Sequence, residues 1–156
     1  NKDVQMKKIL AAFAILFLVG CQTVPEVVTD EYTGERYVKG EVMSIMNKAL
    51  SYSNARLYYQ DGRYWMNINY SAYGWGFFET ATVMGGQKLK LDRYNSEVHS
   101  RITNEYFRAN VDRGLLDKAA NGGVKIRLEG PKGSIETELP ELPVQRFLET
   151  VDEFKG

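Results

Sequence analysis

The sequence predicts an α+β fold, an antiparallel β-meander sheet of about six to eight strands with two helices near the C-terminus. Three observations carry that expectation. Apolar and charged residues alternate over Val124–Glu129 and again over Ile135–Leu139, the period of half-buried strands. Asp61-Gly62, a two-residue hairpin signal, stands between two aromatic, alternating segments. Val144, Phe147, Leu148 and Val151 recur at i, i+3, i+4 and i+7, the apolar stripe of a helix.

Each element can be justified in chain order. Gln22–Asp30 holds one proline, polar residues and a Val-Val pair without sustained periodicity, so residues 22–30 read as a tether and 31–156 as a single domain. Over Glu41–Ser51, Val42, Ile45, Met46 and Ala49 fit a helix, but the position ahead of a meander favours a strand. The Asp61-Gly62 turn sets Tyr59 opposite Tyr64, Tyr58 opposite Trp65 and Leu57 opposite Met66. Trp75–Val83 reads as a further strand, ended by Gly85-Gly86 before Gln87–Leu91. Its register stays open, because a two-residue loop would set Leu89 and Leu91 opposite Thr82 and Thr80. Asn95–Ser100 is a largely polar stretch and reads as an exposed loop.

Tyr106–Val111 then alternates Phe107, Ala109 and Val111 against Arg108 and Asn110, a strand leading into a helix over Arg113–Ala120. Asp112 suits the N-cap, and Asn121-Gly122 is expected to end the helix in the left-handed region. A four-residue loop, Gly130–Gly133, pairs Leu128 with Ile135, Ile126 with Thr137 and Val124 with Leu139 on one face. The other face then sets Arg127 opposite Glu136 and Lys125 opposite Glu138, each pair contributing about 0.2–1 kcal/mol. The last helix is expected from Pro143 to Phe154, with the proline in its first turn.

Composition narrows the function classes. The 156 residues are 44% hydrophobic and 26% charged, which excludes wholesale disorder. Lys+Arg 20 against Asp+Glu 20 lacks the basic footprint of a nucleic-acid binder. One histidine and one cysteine exclude a disulfide framework and argue against a zinc site, and no cofactor motif is present.

The front of the chain carries an address. Met6-Lys7-Lys8 precedes the apolar run Ile9–Val19, which is too short to cross roughly 30 Å of hydrocarbon as a stable helix. Basic start and apolar run together read as a signal peptide over residues 1–21, with 1–5 an upstream extension. Leu18-Val19-Gly20-Cys21 closes that run and resembles the lipobox of bacterial lipoproteins. The resemblance implies that Cys21 carries a diacylglycerol thioether and becomes the mature N-terminus, durably anchored by several acyl chains. With Gln22 in place of an aspartate after the cysteine, it further implies an outer-membrane location facing the periplasm. Cleavage removes three lysines and one aspartate, leaving 17 basic and 19 acidic residues and no thiol beyond the lipidated one.

Groups for catalysis are hard to assemble. His99 lies among polar residues with Ser96 and Ser100, without a Gly-x-Ser-x-Gly elbow, and reads as a surface histidine. The carboxylate pairs Glu136/Glu138 and Asp112/Asp117 already have cross-strand or capping roles. Gly74-x-Gly76 and Gly85-Gly86 lack the strand-turn-helix setting of a phosphate cradle. Aromatic density between Tyr52 and Phe78 remains. If Tyr59, Tyr64, Met66, Ile68 and Tyr70 face inward, Tyr58 and Trp65 share the opposite face with Arg56, Asn67 and Asn69, a platform for a sugar ring or an apolar segment. The expected function is therefore a non-enzymatic, lipid-anchored envelope module that binds or scaffolds another envelope protein. Recognition of peptidoglycan or another envelope glycan through Trp65 and Tyr58 is the second reading, and a small carboxylate-dependent hydrolase the third.

Overall fold

A computed structural model describes residues 24–156, so the segment expected to be a signal peptide, with Cys21, lies outside the described residues. Among the described residues the chain is α+β, with eleven antiparallel strands in two sheets and two helices. The strands are β1 (Glu26–Thr29), β2 (Arg36–Lys39), β3 (Met43–Lys48), β4 (Ser51–Gln60), β5 (Arg63–Ala72), β6 (Thr80–Val83), β7 (Lys88–Lys90), β8 (Asp92–His99), β9 (Ile102–Val111), β10 (Val124–Gly130) and β11 (Gly133–Leu139). Helix α1 (Arg113–Ala120) follows β9, and α2 (Glu141–Lys155) closes the chain. The larger sheet runs β1-β2-β4-β5-β9-β8, with β3 also pairing β4, and the smaller runs β11-β10-β6-β7. Among the described residues, no helix is long and apolar enough to cross a membrane.

The central hairpin forms as its turn chemistry dictates. Asp61 and Gly62 both take positive φ, 49° and 80°, and Tyr59, Tyr58 and Leu57 face Tyr64, Trp65 and Met66. The β10–β11 register also matches the alternation, Leu128 against Ile135 and Val124 against Leu139, but Gly130 and Gly133 pair too, leaving Pro131-Lys132 as the turn. Arg127 faces Glu136 there and yet forms its ion pair with Glu129, at 3.1 Å on its own strand. Within Glu41–Ser51, Met43–Lys48 forms strand β3 with a bulge between Ser44 and Met46, and Ser51 already opens β4.

Several expectations are corrected. Glu26–Thr29, read as part of a tether, pairs as β1 with β2, so the fold begins at least five residues before Glu31. Only Thr80–Val83 of Trp75–Val83 is a strand, and β7 is confined to Lys88–Lys90. Leu89 faces Ala81, because Val83 N–H donates to Gln87 O across a three-residue loop. Asn95–His99 belongs to β8, a strand exposed along its whole length and invisible to burial patterning. Asn121 keeps φ at −112°, and Gly122 and Gly123 take the positive φ that ends α1. Helix α2 starts at Glu141 after Pro140, placing Pro143 at its third position.

One core joins these parts. Leu57, Met66, Ile68 and Phe107 of the larger sheet meet Ala81, Val83, Leu89 and Leu128 of the smaller, and Leu115, Leu116, Val144, Phe147, Leu148 and Val151 of the helices. Full burial of such a side chain stabilises by about 1.5–3 kcal/mol. Helix α2 is tied down by Arg146, whose guanidinium pairs with the buried Glu41. The helices are clasped by Arg113, which reaches Asp152 through two bonds of 2.6 and 3.0 Å and Asp117 at 2.8 Å.

That clasp has a pH dependence. Hydrogen bonding to Arg113 holds the Asp152 carboxyl below the usual carboxylate range, and the Leu115 amide does the same for the N-cap Asp112. Both contributions are complete above the unfolded-state pKa of about 4 and are lost as pH falls through the lower folded-state values. Urea unfolding from pH 7 down to pH ~2 is expected to show falling stability, with a shallower acid slope in Asp152→Asn.

Candidate binding face

Helices and the smaller sheet all pack on one side of the larger sheet, leaving its outer face open. Alternation places Arg56 and Tyr58 of β4 on this face beside Trp65, Asn67 and Asn69 of β5, all half-buried. All five residues singled out from sequence therefore stand together. Strand register arranges them in rungs: Tyr58 faces Trp65 and then Asn110, Arg56 faces Asn67 and then Arg108, and Asn54 faces Asn69 and then Tyr106.

Aromatic rings cross the face in a continuous ladder. Tyr37 tilts against Tyr58 at 6.4 Å, and Tyr58 stacks on Trp65 at 5.3 Å with ring planes 3° apart. The Arg108 guanidinium lies over Trp65 at 5.9 Å and over Tyr94 at 5.5 Å, and Tyr94 tilts against Tyr106 at 6.2 Å. Arg108 Nε also donates to Asn67 Oδ1 at 3.1 Å, which fixes the amide's orientation. Each cation over a ring contributes roughly 0.5–1 kcal/mol at such exposure. Tyr37, Tyr94, Tyr106 and Arg108 were missed by sequence reading. Tyr94 reaches the face because a bulge between Arg93 and Asn95 re-aims it, and no local pattern announces a bulge.

Below the ladder lies a hollow of about 380 Å³, lined by Val42, Asn54, Arg56, Tyr58, Asn67, Asn69, Tyr94 and Tyr106 among others. That volume falls within the range of small-molecule sites, about 300–1,000 Å³. Two buried polar atoms among the described residues lack a partner, Arg56 Nε and Asn69 Oδ1, and both residues line this hollow. Such an orphan costs about 1–3 kcal/mol. Burial raises the Tyr94 and Tyr106 hydroxyl pKa values, so both stay protonated at neutral pH and able to donate. No carboxylate is among the lining residues, so the hollow holds neither half of an acid–base pair.

Comparison with known protein families, with curated proteins and with solved structures returns no match. The other sequence candidates lie elsewhere. His99 is exposed at the end of β8, 3.5 Å from Glu97, and Ser100 sits in the β8–β9 turn with φ of 59°. Asp112 caps α1 by accepting from the Leu115 amide at 2.7 Å, and Asp117 is held by Arg113. Glu136 and Glu138 are on β11 in the smaller sheet. Among the described residues no group of three or more His, Cys, Asp or Glu is placed to hold a metal.

Proposed function

We propose that this protein is a non-enzymatic binding module, held to the bacterial outer membrane by lipid on Cys21, with the outer face of its larger sheet as the binding surface. The observation that carries this reading is the one-sided packing: among the described residues, an aromatic, amide and guanidinium face stands uncovered while both helices lie on the other side. Exposed Trp, Tyr and Arg are the side chains that anchor recognition. They stand here on central strands, where the backbone is held by neighbours on both sides.

The address is tested by Cys21→Ser. That variant is expected to remain folded and to leave the membrane fraction, since the attachment is covalent lipid rather than packing. Retention of the variant in membranes would refute the anchor. The surface is tested by photoreactive residues placed in cells at Asn54 on the face and, as control, at the exposed Glu149 of α2. Adducts are expected from position 54 and not from 149. Equal labelling at both positions, or none at 54, would remove the assignment.

A further inference from the structure

We infer that the hollow over β4, β5 and β9 is a saccharide subsite that takes an N-acetylated sugar unit of an envelope glycan. The inference rests on the outer face being the binding surface and names what that surface holds. A sugar ring offers apolar C–H faces rimmed by hydroxyls. Tyr94 and Tyr106 supply flat apolar surface, and Asn54, Asn67 and Asn69 supply neutral groups that both donate and accept.

The orphan atoms sharpen the ligand class. Arg56 faces Asn67 and Asn54 faces Asn69, so Arg56 and Asn69 sit diagonally on adjacent rungs, one with an unused donor and the other with an unused acceptor. A hydroxyl or an acetamido group carries both functions and would satisfy the pair once both side chains turn these buried atoms toward the hollow. With the Asn69 oxygen facing the hollow, a carboxylate offers it no donor, and an ammonium offers no acceptor to Arg56. Rotation about the broad terminal torsion of Asn69 is enough to turn its oxygen toward the hollow. A peptide segment adding to the sheet would instead need a bare strand edge, and the amides stand on β4 and β5, which are paired on both sides.

The full chain in detergent is titrated with a peptide-free tetrasaccharide of N-acetylglucosamine and N-acetylmuramic acid. Indole fluorescence reports binding, because Trp65 stacks on Tyr58 at the hollow. Saturable binding is expected, with a Kd on the order of 1 mM or tighter. Tyr106→Ala and Asn67→Asp are each expected to weaken it about tenfold, while Lys88→Ala on the smaller sheet leaves it unchanged. Circular dichroism checks that each variant is folded. Absence of saturable binding to the folded wild type overturns the inference, as does undiminished affinity in both hollow variants. Equal affinity for cellotetraose, which lacks acetamido groups, overturns the N-acetyl assignment. If the sugar fails to bind while a photoreactive residue at position 54 captures an envelope protein, the saccharide inference falls and the binding-face reading stands. If both fail, both fall.

Discussion

Glu105→Ala is expected to lower folding stability by about 3–5 kcal/mol, read as a drop in urea midpoint with unchanged m-value. Glu105 is fully buried on the inner side of β9 and is the anchor of the segment between β5 and β6. Its carboxylate accepts from the Gly76 amide at 2.6 Å and the Phe77 amide at 3.1 Å, and Arg93 approaches at 3.4 Å. Arg93 in turn lies over the stacked rings of Trp75 and Phe77. Alanine removes the acceptor for two backbone N–H groups and opens a cavity, while the partly exposed Arg93 regains water. Glu105→Gln keeps the volume and one acceptor oxygen, and is expected to cost less, about 2 kcal/mol. A loss in Glu105→Ala with none in Glu105→Gln would show that packing, not the carboxylate, holds the segment.

Gly130→Ala is the second large effect, with an expected loss of about 3 kcal/mol or more. Gly130 ends β10 where the Phe77 backbone crosses it. An added Cβ would collide with the Phe77 carbonyl oxygen, and would lie 2.8 Å from the Phe77 carbonyl carbon and 3.0 Å from Phe78 Cα. Every obstacle is backbone, so no rotamer change relieves it. Phe77 already holds φ at 51°, and its neighbour Phe78 packs edge-on against Tyr70 in the core. A melting temperature within about 2 °C of wild type would exclude this close approach. Gly133→Ala is a useful contrast: nothing lies near its Cβ, and only its φ of 122° opposes the change.

Both sites fall where sequence reading was blind, for a physical reason. Hairpins at Asp61-Gly62 and around Pro131-Lys132 were legible because turn chemistry and period-2 alternation are local and agree with each other. The N-cap at Asp112 was legible for the same reason. Trp75–Glu79 mimics a strand in composition, yet its Gly76 and Phe77 amides are satisfied by a carboxylate 29 and 28 residues away, and its Phe77 takes a conformation unusual for a bulky residue. β8 was missed because neither of its faces is buried, so it carries no alternation. The division of strands between two sheets was also hidden. β6 joins β10 rather than its neighbour β5, a pairing decided by contacts distant in the chain. Of the candidate face, Arg56, Tyr58, Trp65, Asn67 and Asn69 followed from the parity of one hairpin, whereas the contribution of β8 and β9 required their register.

The short strand β1 limits how far the domain travels. Because Glu26 is already fixed in the sheet, the lipid proposed on Cys21 would leave five peptide units between bilayer and fold, roughly 17 Å at full extension. With that anchor the protein would be a surface-hugging post rather than a leashed probe, and a ligand on its outer face would be met within a few nanometres of the lipid headgroups.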